Sequence, residues 1–228
     1  MSNYSEKPII IFDMDGTLLD LAYDDFIWNE LLPHRYAIKH NCSLTQSQDI
    51  LFSFYQAHHH TLNWYSSRFW TQKVGIDMLA MQIEQQDRVS LREGCIELLT
   101  HLKHIGYSCW LATNADCAGL DFKLQKTGIA QYFDVIVSSE TMGYAKEDAG
   151  FWQLLQQQHS FSPESCYFID DTERVLKSAE DFGIGHLFTI AQPSSSKPMR
   201  ERSQYTMLHD LTDLISYLPS TENYQHYA

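Results

Sequence analysis

The sequence predicts an α/β fold, a parallel sheet flanked by helices, with a helical insert after the first strand. Three observations carry this reading. Short runs rich in β-branched and aromatic residues recur along the chain. They alternate with longer segments of helical period. Their hydrophobicity is continuous rather than alternating, as suits strands covered on both faces. A chain of 228 residues can bury enough surface to fold without disulfides or a structural metal.

The first strand run is Ile9–Phe12, after a short polar lead from Met1 to Lys7 that does not read as a secretory leader. From 21 to 90 no strand-like run occurs and aromatic residues are abundant. Ser43 followed by Gln46 is a capping-box spacing, and Ile50, Leu51, Phe54, Tyr55 and His58 recur at helical period. Further helices are expected around Phe26–Leu32, Asn63–Val74 and Asp77–Arg88. So long an interval without structure of its own would be unusual, so this segment is read as a helical insert.

Beyond it, strand runs at Tyr107–Ala112, Val135–Val137, Tyr167–Ile169 and His186–Ile190 alternate with helices at Gly94–His104, Cys117–Lys126, Phe151–Gln158 and Arg174–Phe182. Gly128 and Gly183 stand where helices stop. Gln192–Pro198 reads as a loop, a helix is expected near Leu208–Leu218, and Ser220–Ala228 as a polar, frayed end. Residues 1–20 and 91–228 are thus read as one core and 21–90 as a separate helical domain.

The charge balance, 29 Asp and Glu against 16 Lys and Arg, disfavours a nucleic-acid polymer or an anionic membrane as partner. A small phosphorylated metabolite needs only a local cationic site. The run Ile9–Phe12 meets Asp13 too soon to be a membrane span. The five cysteines, Cys42, Cys95, Cys109, Cys117 and Cys166, are scattered without a C-x-x-C pair. They read as reduced, mostly buried thiols, and the expected compartment is the cytoplasm.

The chemistry-bearing residues gather at strand ends. Asp13-Met14-Asp15-Gly16-Thr17 follows the first strand, and residues two apart in an extended segment leave on the same side. Two carboxylates held together call for a cation. Gly16 and the Met14 backbone offer a close approach for an anion. Thr113-Asn114 follows the second run, Lys146 the third, and Asp170-Asp171 the fourth. Acids at the carboxyl ends of parallel strands stand where open α/β sheets bind ligands. Such oxygen donors suit Mg²⁺.

These four groups, in this order, resemble the signature of the haloacid dehalogenase superfamily of hydrolases. The resemblance implies a Rossmann-like core, with 21–90 as the helical cap. It implies Mg²⁺ held by Asp13, Asp171 and the backbone carbonyl of Asp15, with Asp170 supporting the metal. It further implies phosphomonoester hydrolysis through an aspartyl-phosphate on Asp13. Asp15 would be acid and then base, and Thr113 and Lys146 would hold the phosphoryl oxygens. An acid at Asp15 separates phosphate chemistry from dehalogenation. A phosphatase or phosphomutase acting on a sugar phosphate and a silent nucleotide-sensing module are the alternatives.

The stretches Asp13–Asp24, His60–Tyr65 and Gly143–Asp148 are similar to purine-specific GMP/IMP 5′-nucleotidases of enteric bacteria; Ala145 stands where those enzymes are expected to have proline, and Glu147 where the wider superfamily often has it. That similarity implies purine mononucleotides as substrate. One or two of Tyr23, Asn63, Trp64 and Tyr65 are then expected to face the base, with Asn63 donating to a 6-oxo group. Phe52, Phe54, Phe69 and Trp70 are expected in the insert's own core. His58-His59-His60 is not read as a metal site, because consecutive helical residues do not face one another.

Overall fold

The computed structural model describes residues 9–219; the polar lead and the polar end lie outside them. Six strands form one parallel sheet in the order β3-β2-β1-β4-β5-β6. They are β1 (Ile9–Phe12), β2 (Ser108–Thr113), β3 (Val135–Ser138), β4 (Tyr167–Ile169), β5 (His186–Ile190) and β6 (Thr206–Leu208). Successive residues alternate faces. Ile10, Phe12, Cys109, Leu111, Tyr167 and Ile169 pack on one side, and Ile11, Trp110, Ala112 and Phe168 on the other. The first face is covered by α6 (Cys95–His104) and α7 (Cys117–Thr127). The second is covered by α9 (Ala149–His159) and α10 (Glu173–Phe182), with the short α8 (Ser139–Met142) before them.

Strand register decides which residues stand together at the sheet end. Phe12 is level with Leu111 of β2 and with Ile169 of β4. The next residues along, Asp13, Ala112 and Asp170, therefore emerge side by side there. Asp13 N extends this pairing by donating to Ile169 O at 2.9 Å.

Between β1 and α6 lie five α-helices: α1 (Ala22–Phe26), α2 (Leu32–His40), α3 (Leu44–His58), α4 (Ser67–Val74) and α5 (Met78–Glu84). The capping box on α3 is present, Ser43 Oγ accepting from Gln46 N and Ser43 N donating to Gln46 Oε1. Asp77 caps α5. The sequence reading ended the first of these helices at Leu32, before Pro33. The helical run instead continues from Ala22 to His40 through a π turn at Ile27–Leu31. Pro33 sits at the start of α2, where a missing N–H is tolerated. Asn63–Val74 is likewise two pieces, a 3₁₀ turn at Leu62–Tyr65 and then α4.

The chain leaves and re-enters the sheet region along two antiparallel segments. Leu19 bridges Leu91, Asp20 N donates to Ser90 O at 3.0 Å, and Arg92 N to Leu18 O at 2.9 Å. Leu51, Trp70, Val74, Met78 and Met81 of the insert belong to the same continuous apolar cluster as the first sheet face.

The helix expected near Leu208–Leu218 is not formed as such. Its start is β6, paired with β5 from Phe188↔Thr206 to Ile190↔Leu208, and the rest is a 3₁₀ helix, Leu211–Tyr217, begun by an Asp210/Asp213 capping box. Unlike the equally short but wholly buried β4, this edge strand exposes Thr206 and only half buries Met207, so it makes no continuous apolar run. None of the five cysteines is in a disulfide, and Cys95, Cys109 and Cys166 are buried. Among the described residues no helix is long and apolar enough to cross a membrane.

The α3 cap gives a stability test. Ser43→Ala removes an acceptor for an otherwise orphaned helix N–H and is expected to cost about 1 kcal/mol. Urea unfolding of the two proteins measures it, and an unchanged midpoint would contradict the capping assignment.

Candidate active site

Asp13 is the first residue beyond β1 and is almost fully buried. The backbone turns sharply after it, Met14 O accepting from Leu18 N and Leu19 N, each at 2.9 Å. Gly16 adopts φ +90°, and a Cβ there would lie 2.7 Å from the carboxyl carbon of Asp171. Glycine is thus required by chain direction and by the closeness of that acid. Gly16 N donates to Leu19 O at 2.8 Å, so this N–H is engaged rather than open to an anion.

The turn separates the two acids that the extended spacing placed side by side. Asp13 faces Lys146, in the loop between α8 and α9. Asp15 faces Lys123 of α7, with Nζ 2.7 Å from Oδ1. Both acids still line one cavity.

Lys146 is 1% exposed. Its backbone N donates to Asn114 Oδ1 at 2.9 Å and its carbonyl accepts from Trp152 Nε1 at 2.9 Å, which aims the side chain inward. Nζ donates to Asp13 Oδ1 at 2.5 Å, Asp170 Oδ2 at 2.7 Å and Ala112 O at 3.0 Å. Those acceptors are the three neighbours that the strand register sets level. Burial disfavours the Lys146 charge, but Asp13 and Asp170 outweigh it and raise the ammonium above its ordinary range. Burial pushes the Asp13 carboxyl up, against the pull of Lys146, and pushes Asp170 up further.

Asp171 completes the cluster. Burial, and then the Asp13 charge, push it up to about 7. Arg200, which the sequence reading did not single out, donates from Nη2 to Asp171 O at 2.5 Å and stands 3.9 Å from its carboxylate. One carboxylate oxygen from each of Asp13, Asp170 and Asp171 lies within 4.8 Å of the others. Three carboxylates share Lys146 and the more distant Arg200, so negative charge remains uncompensated. A hard divalent cation fits this donor set and charge. Both Asp170 oxygens already accept hydrogen bonds, from Lys146 Nζ and Thr172 N, so Asp13 and Asp171 are the freer ligands. The Asp15 side chain stands apart from this cluster.

The cavity has a volume of about 360 Å³. Its lining includes Asp13, Asp15, Thr113, Lys146, Asp170 and Asp171 from the strand ends and loops, and Trp28, Tyr55, Trp64, Tyr65 and Trp70 from the insert. Thr113 Oγ1 accepts from Ala115 N at 3.0 Å, which leaves its hydrogen to donate. Asn114 lines the cavity, but its amide braces the Lys146 loop, with Nδ2 donating to Glu147 Oε2 at 3.0 Å. Trp28 and Trp64 lie nearly parallel, 20° apart with centroids 6.5 Å apart.

Two expected base contacts are placed elsewhere. Asn63 is exposed and borders a neighbouring cavity of about 120 Å³, because the 3₁₀ turn directs it away from the larger one. Tyr23 is buried and donates to Gln82 O at 2.8 Å, an anchor inside the insert. Glu147, noted only as a departure from proline, has a side chain 3% exposed and accepts from Tyr65 Oη at 2.5 Å. Lys123 was also missed. Its signal is a lysine three residues after Leu120 on the buried side of a helix.

The Asp171 shift has a pH consequence. A carboxyl whose folded pKa lies above its unfolded value binds extra protons on folding, so its stabilising effect is complete below the unfolded pKa, near 4, and is lost as pH rises through about 7. A divalent cation at the cluster opposes that loss and competes with protons. Mg²⁺ is therefore expected to raise Tm by several degrees at pH 8 and little at pH 5, with the pH 8 shift absent in Asp171→Asn. Equal shifts at both pH values would count against the cluster as the metal site.

Comparison with known proteins agrees with this geometry. The haloacid dehalogenase-like hydrolase family matches residues 10–188. The GMP/IMP nucleotidase YrfG of Escherichia coli (strain K12) is 35% identical over 215 residues, covering 94% of this chain and 97% of that protein, and the Shigella flexneri protein of the same name matches equally. Among solved structures, a HAD phosphatase from Thermococcus onnurineus superposes with a TM-score of 0.75 over 92% of this chain and 96% of that one. At 17% identity that likeness concerns the fold. The strand-end acids, their buried lysine and the match along most of the sequence lead to one conclusion: the chain belongs to the haloacid dehalogenase-like hydrolase family.

Proposed function

We propose that this hydrolase is a Mg²⁺-dependent phosphomonoesterase that dephosphorylates purine 5′-mononucleotides through an aspartyl-phosphate, with residues 21–90 as a cap over the leaving group. The observation that carries the reading is the cavity itself, lined both by the acids with their buried lysine and by aromatic side chains of the insert. The 35% identical relative named a GMP/IMP nucleotidase supports the choice of substrate.

Mg²⁺ held by Asp13 and Asp171 would neutralise charge on the phosphoryl oxygens and so draw an anion into an acidic protein. The Asp13 carboxylate attacks phosphorus as the bond to the ester oxygen breaks, giving an acyl phosphate. Lys146 holds Asp13 Oδ1, so the other oxygen is the one that attacks. Thr113 donates to a phosphoryl oxygen, as Lys146 does once phosphate competes for its protons. Asp15 gives its proton to the leaving oxygen. It then takes one from the water that cleaves the acyl phosphate, releasing inorganic phosphate and restoring Asp13. Trp64 and Trp28 offer faces for the base, and binding there assists the reaction only if it persists in the transition state.

Asp13→Asn is expected to lower kcat by several orders of magnitude with the fold intact, since no other group can attack. Excess EDTA is expected to abolish turnover and Mg²⁺ to restore it. Substantial phosphate release by a verified Asp13→Asn preparation, or full turnover in chelator, would sink the mechanism.

For specificity, kcat/KM is expected to be about 10- to 100-fold higher for GMP and IMP than for CMP or glucose 6-phosphate, the range that base stacking can supply. Trp64→Ala is expected to reduce the purine values by a similar factor while changing glucose 6-phosphate only a few-fold. Asn63→Ala, outside the cavity, is expected to leave the preference in place. A wild type that treats all four alike would remove the nucleotide reading and leave a general phosphatase.

A further inference from the structure

We propose that Lys123 is a positioning residue for the acid–base step of Asp15, anchored in turn by Asp24 of α1, so that the insert helps to set where the proton donor stands. The inference rests on the acid–base role proposed for Asp15 and concerns residues to which that role assigns nothing. Lys123 is 3% exposed, on the buried side of α7. A buried lysine persists only when it is paired. Its Nζ donates to Asp15 Oδ1 at 2.7 Å and to both oxygens of Asp24 at 3.1 Å. Burial disfavours its charge, but the two carboxylates outweigh that and raise the ammonium above its ordinary range.

The geometry is that of a three-way tie. Asp15 belongs to the turn after β1, Lys123 to α7 beneath the sheet, and Asp24 to the first helix of the insert. Tyr23 fixes the arrangement from behind, its ring 5.2 Å from Nζ and its hydroxyl bonded to Gln82 O. Lys123 engages one oxygen of Asp15 and leaves Oδ2 to carry the proton, while all three charged side chains line the cavity. An ion pair serving only to join α7 to α1 would need Asp24 alone. The shortest of the contacts is instead to the acid. Because a misplacement of about 1 Å can cost about 100-fold in rate, holding Asp15 is a catalytic matter.

The test exploits the leaving group. An alkoxide must be protonated as it departs, whereas p-nitrophenolate leaves readily as an anion. kcat/KM would be measured for GMP and for p-nitrophenyl phosphate in the wild type, Asp15→Asn, Lys123→Met and Asp24→Asn. Glycerol 2-phosphate replaces GMP if the purine reading fails. Lys123→Met is expected to lose about 100-fold on the alkyl phosphate and under about 5-fold on p-nitrophenyl phosphate, the pattern of a misplaced general acid. Asp24→Asn, which keeps an acceptor and loses a charge, is expected to show the same selectivity at about 5- to 10-fold. It decides the matter if Lys123→Met does not fold. Equal losses on both substrates in the folded variants would overturn the proposal. If Asp15→Asn shows the leaving-group pattern and the Lys123 and Asp24 variants do not, the Lys123 assignment alone falls. If Asp15→Asn does not show it, the acid–base reading falls and takes this inference with it.

Discussion

Burying Lys146 against Asp13 and Asp170 is the interaction on which the site depends. An ammonium this enclosed needs every proton bonded, and all three are, to two carboxylates and a carbonyl. The acceptors come from β1, β2 and β4, three adjacent strands of one parallel sheet, and are level only because of the register. A slip of one residue in any of those pairings would turn an acid toward the opposite face and leave the lysine short of partners. The sheet and the candidate chemistry therefore impose the same constraint on the chain.

A second set of buried polar contacts ties the inserted helices to the sheet region. Lys123 joins Asp24 to Asp15. Glu147 joins Tyr65 and His60 to Asn114, and Asp116 caps α7 while accepting from Ser67 N at 2.5 Å. Each tie ends on a residue that borders the cavity or stands next to one that does. Buried ion pairs of this kind contribute little net stability, because desolvation offsets their attraction. Their worth here is geometric, fixing the aromatic wall relative to the acids.

Much of this was legible in one dimension. Five strands are continuous apolar runs, and five short runs separated by helical periods admit few arrangements besides a parallel sheet. Ser43 with Gln46, and Asp77, marked helix starts because capping is a local interaction between near neighbours. β6 was not legible, since an edge strand with Thr206 exposed makes no continuous apolar run and is set only by pairing with β5. Nor was the passage of a helix through Pro33, which depends on a π turn just before it.

By itself the sequence singled out the candidate residues: Asp13, Asp15, Asp170 and Asp171 stand just past buried apolar runs that read locally as strands, Thr113 closes another, and Lys146 lies in the loop beyond α8. The tertiary structure alone decided which cation meets which acid. Asp13 and Asp15, two residues apart, part at the turn beside Gly16 and find lysines on opposite sides of the sheet. It also decided that Asn63 and Tyr23 stand away from the large cavity, and that Lys123, Arg200 and Glu147 belong to its surroundings. Those residues lie far apart in the chain, and no local spacing encodes which side chains meet when helices pack across a sheet.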